Sequence, residues 1–164
     1  MTRVILGALA LGLVAMPLSA KDSLGVFEQW GAFRDPSVPR CYAVAMADKN
    51  RASRDYQPFA NIGTWPRRGV RGQVHFRMSR KVAGASEIVL RAAGQRFTLA
   101  GGGGDAWARD KAMDAAIVAA MRSAKSMTVT ARDIRGRRFS DRYTLAGAAT
   151  AMDAATVGCS RRRR

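Results

Sequence analysis

The sequence predicts a mainly β protein: one antiparallel, β-sandwich-like domain with one main α-helix and a short C-terminal helix. Three observations carry this expectation. Short apolar runs with period-two alternation recur between Gly- and Pro-marked turns, the pattern of an antiparallel sheet. Only the segment from Asp110 to Ala124 sustains the 3–4 spacing of a helix face, through Met113, Ala116, Ile117, Ala120 and Met121. Hydrophobic residues make up 48% of the 164, too many for a disordered chain.

The first twenty residues stand apart from this pattern. Arg3 precedes thirteen apolar residues, Val4 to Met16, and Pro17-Leu18-Ser19-Ala20 supplies small residues at a cleavage point. Residues 1–20 therefore read as a signal peptide cut after Ala20. Thirteen residues at ~1.5 Å each span about 20 Å, short of a ~30 Å bilayer core. An uncleaved anchor is the competing reading. Residues 21–160 then form one β-rich domain and residues 161–164 a basic tail, with no transmembrane helix in the mature form. The expected location is periplasmic or secreted.

Within the domain, Val26–Phe33 reads as a first strand and Arg34–Pro39 as a loop, since Pro36 and Pro39 fix φ and remove donors. Cys41–Met46 is an apolar second strand, and the polar stretch 48–58 an exposed connection. Phe59–Trp65 reads as a strand ended by Pro66, and Arg67-Arg68-Gly69-Val70-Arg71-Gly72 as a basic turn. From Gln73 to Arg80, Val74, Phe76 and Met78 point inward while His75, Arg77 and Ser79 point outward. Glu87–Ala92 and Arg96–Ala100 make a hairpin, and Gly101–Gly104 a flexible run before the helix, which Asp110 caps. Met127, Val129 and Ala131 share the buried face of the next strand. Arg135-Gly136-Arg137 is a turn. The returning strand turns Phe139, Asp141, Tyr143 and Leu145 to one side, before a last short helix.

Cys41 and Cys159 are the only cysteines and lie near opposite ends of the mature chain. Export makes a structural disulfide the expected state, worth up to ~5 kcal/mol for so long a loop. Two buried thiols or a redox pair are the alternatives, though no CxxC is present.

Twenty-eight Lys and Arg oppose 12 Asp and Glu, giving a net charge of +16. Such a potential favours polyanions, and outside the cytoplasm nucleic acid is the least available of them. The candidate anion-binding residues are Arg67, Arg68 and Arg71 around one turn, Arg135, Arg137 and Arg138 around another, and Arg161, Arg162, Arg163 and Arg164 at the end. A solvated basic surface is the plainer account of the same residues.

Enzymatic signals are sparse. His75 is the only histidine, so any Ser-His-Asp arrangement must use it, and no nucleophile elbow is present. One histidine with scattered carboxylates does not make a metal site, so no catalytic residue, metal or cofactor is expected. Gly101–Gly104 lacks the lysine and hydroxyl of a phosphate loop. Asp141 shares its face with Phe139 and Tyr143 and needs a partner, an Arg or backbone amides, to be buried. A structural contact is the simpler role for it than acid–base chemistry.

Trp30-Gly31-Ala32-Phe33 stands before Cys41-Tyr42-Ala43, and Ala106-Trp107-Ala108 before a helix ending Ala119-Ala120-Met121-Arg122. Met127-Thr128-Val129, Arg135-Gly136, Asp141-Arg142-Tyr143-Thr144-Leu145, Gly147 and Cys159 follow in order. Together these stretches resemble the invasion-associated locus B family of exported bacterial proteins, most strongly in the second half. The resemblance implies a secreted or periplasmic β-rich domain with a disulfide in a Gram-negative envelope. It implies no reaction, ligand or catalytic residue. The resulting expectation is a non-enzymatic binding or accessory protein of the cell envelope, acting through a cationic surface on an anionic envelope component or a partner protein. The alternatives are a structural periplasmic protein without an anion ligand and, behind it, a hydrolase.

Overall fold

The computed structural model describes residues 21–50 and 54–160. The expected leader (1–20) and basic tail (161–164) lie outside the described residues. The strands are β1 (Asp22–Phe27), β2 (Trp30–Asp35), β3 (Arg40–Met46), β4 (Phe59–Trp65), β5 (Val70–Val82), β6 (Ile88–Ala92), β7 (Gln95–Trp107), β8 (Ser126–Arg132) and β9 (Arg138–Thr144). Two helices, α1 (Lys111–Ser123) and α2 (Ala148–Ser160), complete them. All strand pairs are antiparallel, in the order β1-β2-β3-β4-β5-β7-β6-β8-β9. The fold is mainly β, as the alternation predicts.

Two long strands turn one sheet into two facing halves. β7 pairs with β6 through Gln95–Leu99 and with β5 through Gly103–Trp107. The end of β5 then meets the end of β8, where Ala83 donates to the Arg132 carbonyl (3.0 Å) and Ile134 to that of Lys81 (3.1 Å). The second half therefore curls back over the first, and Phe76 of β5 meets Tyr143 of β9 with ring centroids 5.8 Å apart. Trp30, fully buried, donates its indole N–H to the Thr144 carbonyl at 3.0 Å, tying β2 to β9.

The helices cover the inner face. α2 lies against β1, β2 and β3. Its Ala148, Ala151, Met152 and Ala155 meet a sheet face built from Ala32, Ala43, Ala45 and Ala60, all nearly fully buried. Small side chains on both surfaces let helix and sheet approach closely. Asp110 caps α1 as its sequence predicts, accepting from the Met113 amide at 2.8 Å. Asp114, one turn on, accepts from the Val74 amide at 2.8 Å and fixes the helix to β5. Burial pushes the Asp114 carboxyl above its ordinary range, aided by the charge of Asp110 and opposed by the Val74 amide.

Several expectations need correction. The first strand is a hairpin, β1 and β2, turning at Glu28, which takes a positive φ of 52°. Gly101–Gly104 is no loose connection but part of β7, where the strand changes partners. A Cβ on Gly101 would sit 2.2 Å from the Asp105 carbonyl oxygen, so only glycine permits this bend. Ser79 is buried rather than outward, because its amide donates to Asp141 at 2.8 Å.

Candidate anion-binding site

Cys41 of β3 and Cys159 of α2, 118 positions apart in sequence, form a disulfide with Cα atoms 5.7 Å apart. The bond pins the last turn of α2 to the inner face of the sheet, beside the β4–β5 turn. In that turn Pro66–Arg68 forms a single 3₁₀ turn, closed by the Gly69 amide donating to the Pro66 carbonyl at 3.3 Å. Pro66 fits its first position because its missing N–H would go unused there. Arg67, Arg68 and Arg71 project from this turn, all exposed. Among the described residues no carboxylate forms an ion pair with any of the three.

Two cavities flank the disulfide, and Pro66 and Cys159 border both. The larger, about 310 Å³, has Pro66, Ala115 and Val118 as apolar wall, Arg71 and Lys111 as cations, and the hydroxyls of Thr64, Thr156 and Ser160. The smaller, about 150 Å³, carries Arg34, Arg40 and Arg67 with one carboxylate, Asp35; Arg34 pairs with Asp22 (2.5 Å) and Arg40 with Asp35 (3.7 Å), which leaves Arg67 as its cation without an ion pair. The Ser37 hydroxyl holds the Asp35 carboxyl below its ordinary range against the effect of burial, helped by the Val38 amide and the charges of Arg40 and Lys21. Ser160, the last described residue, lines the larger cavity, and the chain continues from there into Arg161, Arg162, Arg163 and Arg164. One end of the molecule thus combines unpaired arginines with apolar-walled cavities, a chemistry suited to anions that carry some apolar surface.

The second arginine group lies elsewhere. Arg135, Arg137 and Arg138 belong to the β8–β9 turn, which bridges to Val82 at the far end of β5 from Arg71. Thirteen residues at ~3.3 Å give roughly 40 Å of strand between them. The candidate arginines therefore do not gather on one face. At the turn, Asp133 accepts from the amides of Arg135 (3.0 Å) and Arg137 (2.9 Å) and pairs with the Arg137 and Arg80 guanidinium groups. Burial by itself would raise the Asp133 carboxyl, but these donors overcome it and hold it at about 2.

His75 is not alone in solvent. Its Nε2 lies 2.9 Å from Asp105, whose other oxygen pairs with Arg77 at 2.5 Å, and its ring stacks on Trp107 at 5.0 Å. No Ser, Thr or Cys side chain bonds to it among the described residues. Asp141 is fully buried, one oxygen taking the Ser79 amide and the other, Oδ1, without a partner. Burial pushes its carboxyl upward despite hydrogen bonds from Ser79 and the charges of Arg54 and Arg80. Among the described residues no three His, Cys, Asp or Glu side chains converge as a metal would require. No helix among them is long and apolar enough to cross a membrane.

Sequence reasoning did not reach Arg34, Arg40 or Lys111. Arg40 was within reach, because it adjoins Cys41 and any disulfide draws it to the α2 terminus. Lys111 needs the packing of α1 on β5, which no local pattern encodes.

The stretch with α1, the β8–β9 hairpin and most of α2 is what the comparison with known families detects. Residues 91–156 match the invasion associated locus B (IalB) family. The match runs from the end of β6 into α2, about two fifths of the chain, and agrees with the resemblance read from the sequence. It includes Arg135, Arg137 and Arg138, whereas Arg67, Arg68 and Arg71 lie outside it. No curated protein and no solved structure matches the chain.

Proposed function

We propose that this protein is an exported, non-enzymatic accessory protein of the bacterial envelope that binds an anionic envelope component through its disulfide end. The observation that carries the reading is the grouping of Arg67, Arg68 and Arg71, without carboxylate partners, around two cavities at the origin of the Arg161–Arg164 segment. The IalB match and a disulfide spanning most of the mature chain favour an extracytoplasmic setting. The sole histidine spends its Nε2 on Asp105 and its ring on Trp107, which favours a binding role over a hydrolytic one.

Cosedimentation of the purified protein with phosphatidylglycerol vesicles or lipopolysaccharide tests this. Binding at low salt is expected to fall away over a few hundred millimolar salt, where the screening length drops below ~8 Å. Deleting Arg161–Arg164 is expected to weaken it several-fold. Binding that ignores both salt and the deletion would instead favour a structural protein without an anion ligand.

A further inference from the structure

The inner face of the first half-sheet is packed, whereas its outer face carries much of the exposed apolar surface of the molecule. Val26 is 72% exposed there, Met46 48% and Trp107 39%. Strand register aligns the residues of this face in rows: Phe33 beside Tyr42, then Val44 beside Asn61, His75 and Trp107, then Met46 beside Phe59, Arg77 and Asp105. Ring contacts link them, with centroids 5.7 Å apart for Phe33 and Tyr42, 5.6 Å for Phe59 and His75, and 5.0 Å for His75 and Trp107.

Three of the rings, those of Phe33, Trp65 and Tyr56, lie against glycines of the sheet. A Cβ on Gly31 would stand 2.7 Å from the Phe33 ring, one on Gly63 2.4 Å from Trp65, and one on Gly104 2.5 Å from Tyr56. Each glycine leaves a gap that the aromatic two residues away, or across the loop, fills flat. The face thus offers ring surfaces with Val26 and Met46 projecting beside them.

Polar groups stand between the rings. Asn61, only 8% exposed, has no hydrogen-bond partner for its Oδ1. Arg40 stacks on Tyr42 at 4.7 Å, lies 5.9 Å from Trp65 and pairs with Asp35 at 3.7 Å, and its Nε has no partner. Arg67 and Arg68 follow Trp65 directly at the same edge. The carboxylate of Asp105 is already neutralised by Arg77. The charge left over on this face is positive and concentrated at the β4–β5 edge.

We propose that this outer face binds an acidic polysaccharide, its sugar rings stacking on Trp107 and Trp65 and its carboxylates meeting Arg67 and Arg68. Flat rings separated by hydrogen-bonding groups match the alternating C–H faces and hydroxyl edges of pyranose units. The preference for an acidic chain rests on the cationic end described above; the stacking platform does not.

Tryptophan fluorescence reads this directly, since Trp65 and Trp107 lie on the face and Trp30 is buried. The full chain is titrated with a hexamer of galacturonic acid and with a neutral cello-oligosaccharide of equal length. The acidic hexamer is expected to give a saturable change and the neutral one a weaker one. Trp107→Ala should weaken both by at least about tenfold, with unchanged circular dichroism and unfolding midpoint. Met46→Glu, at an exposed position, should weaken the acidic hexamer several-fold without touching any ring. Arg67→Glu with Arg68→Glu should remove the preference for the acidic hexamer and leave the weaker neutral binding. Absence of a saturable change with either sugar overturns the proposal, as does unaltered affinity in both Trp107→Ala and Met46→Glu. Vesicle binding without sugar binding would leave the anionic-envelope reading standing and this one refuted. Sugar binding without vesicle binding would do the reverse.

Discussion

The two arginine-rich ends of β5 have similar sequences and opposite electrostatic fates. At the β8–β9 turn, Asp133 sits among the arginines, takes two backbone amides and two guanidinium groups, and is held at about 2. Nearby Glu87 engages Arg96 at 2.7 Å. At the β4–β5 turn the one carboxylate nearby, Asp35, pairs with Arg40, and Arg67 and Arg71 face the two cavities without an ion pair. A cluster of positive charge in the sequence is therefore no guide to a binding surface until the carboxylates that fold beside it are known. At one end Asp133 engages the side chains of Arg137 and Arg80 while those of Arg135 and Arg138 form no ion pair among the described residues, and at the other end Arg67, Arg68 and Arg71 form none.

The largest expected effect comes from the covalent link that builds the second of these ends. Replacing Cys41 and Cys159 with serine should lower the unfolding free energy by ~4–5 kcal/mol in the chain-entropy account, measured by denaturant titration. A loss below about 1 kcal/mol would mean that α2 packing alone holds the disulfide end, since that is the scale of an ordinary hydrogen bond.

The hairpin end should respond to acid instead. A carboxyl held below its unfolded value contributes stability that is present above ~4 and lost as pH falls toward 2. Thermal unfolding followed from pH 7 to 2 should show this decline, and Asp133→Ala should unfold at lower temperature with a flatter pH curve. Superimposable pH curves would deny Asp133 its role as the organiser of the turn.

Asp141 gives the smallest effect and the opposite sign. Its carboxyl is raised, so its cost to stability appears as pH climbs above the ordinary carboxylate range. Asp141→Asn keeps an acceptor for the Ser79 amide and removes that charge. The variant should gain on the parent between acidic and neutral pH and match it near pH 4. A constant difference across that window would point to the hydrogen bond rather than the charge.

Local pattern carried most of the fold. Alternation at Val74, Phe76 and Met78, and at Met127, Val129 and Ala131, marked their buried faces, and Asp110 marked the start of α1. What escaped depended on distant partners. Ser79 alternates like a surface residue, yet Asp141, 62 positions away, draws its amide inward. Gly101–Gly104 has loop composition, but two neighbouring strands hold it in β7. The candidate site was legible as two arginine clusters and a cysteine pair. That one cluster joins the disulfide while the other surrounds Asp133, which pairs with Arg137, is a consequence of topology alone.

Charge reversal at matched positions tests the contrast between the ends most directly. Arg67→Glu with Arg68→Glu, and Arg135→Glu with Arg138→Glu, alter the net charge equally, and affinity for phosphatidylglycerol vesicles is measured for both. The first pair is predicted to weaken binding by roughly tenfold or more, ~1.4 kcal/mol, and the second by less than about threefold on the same scale. Equal losses would mean that binding follows total charge, and the assignment of the ligand to the disulfide end would be wrong.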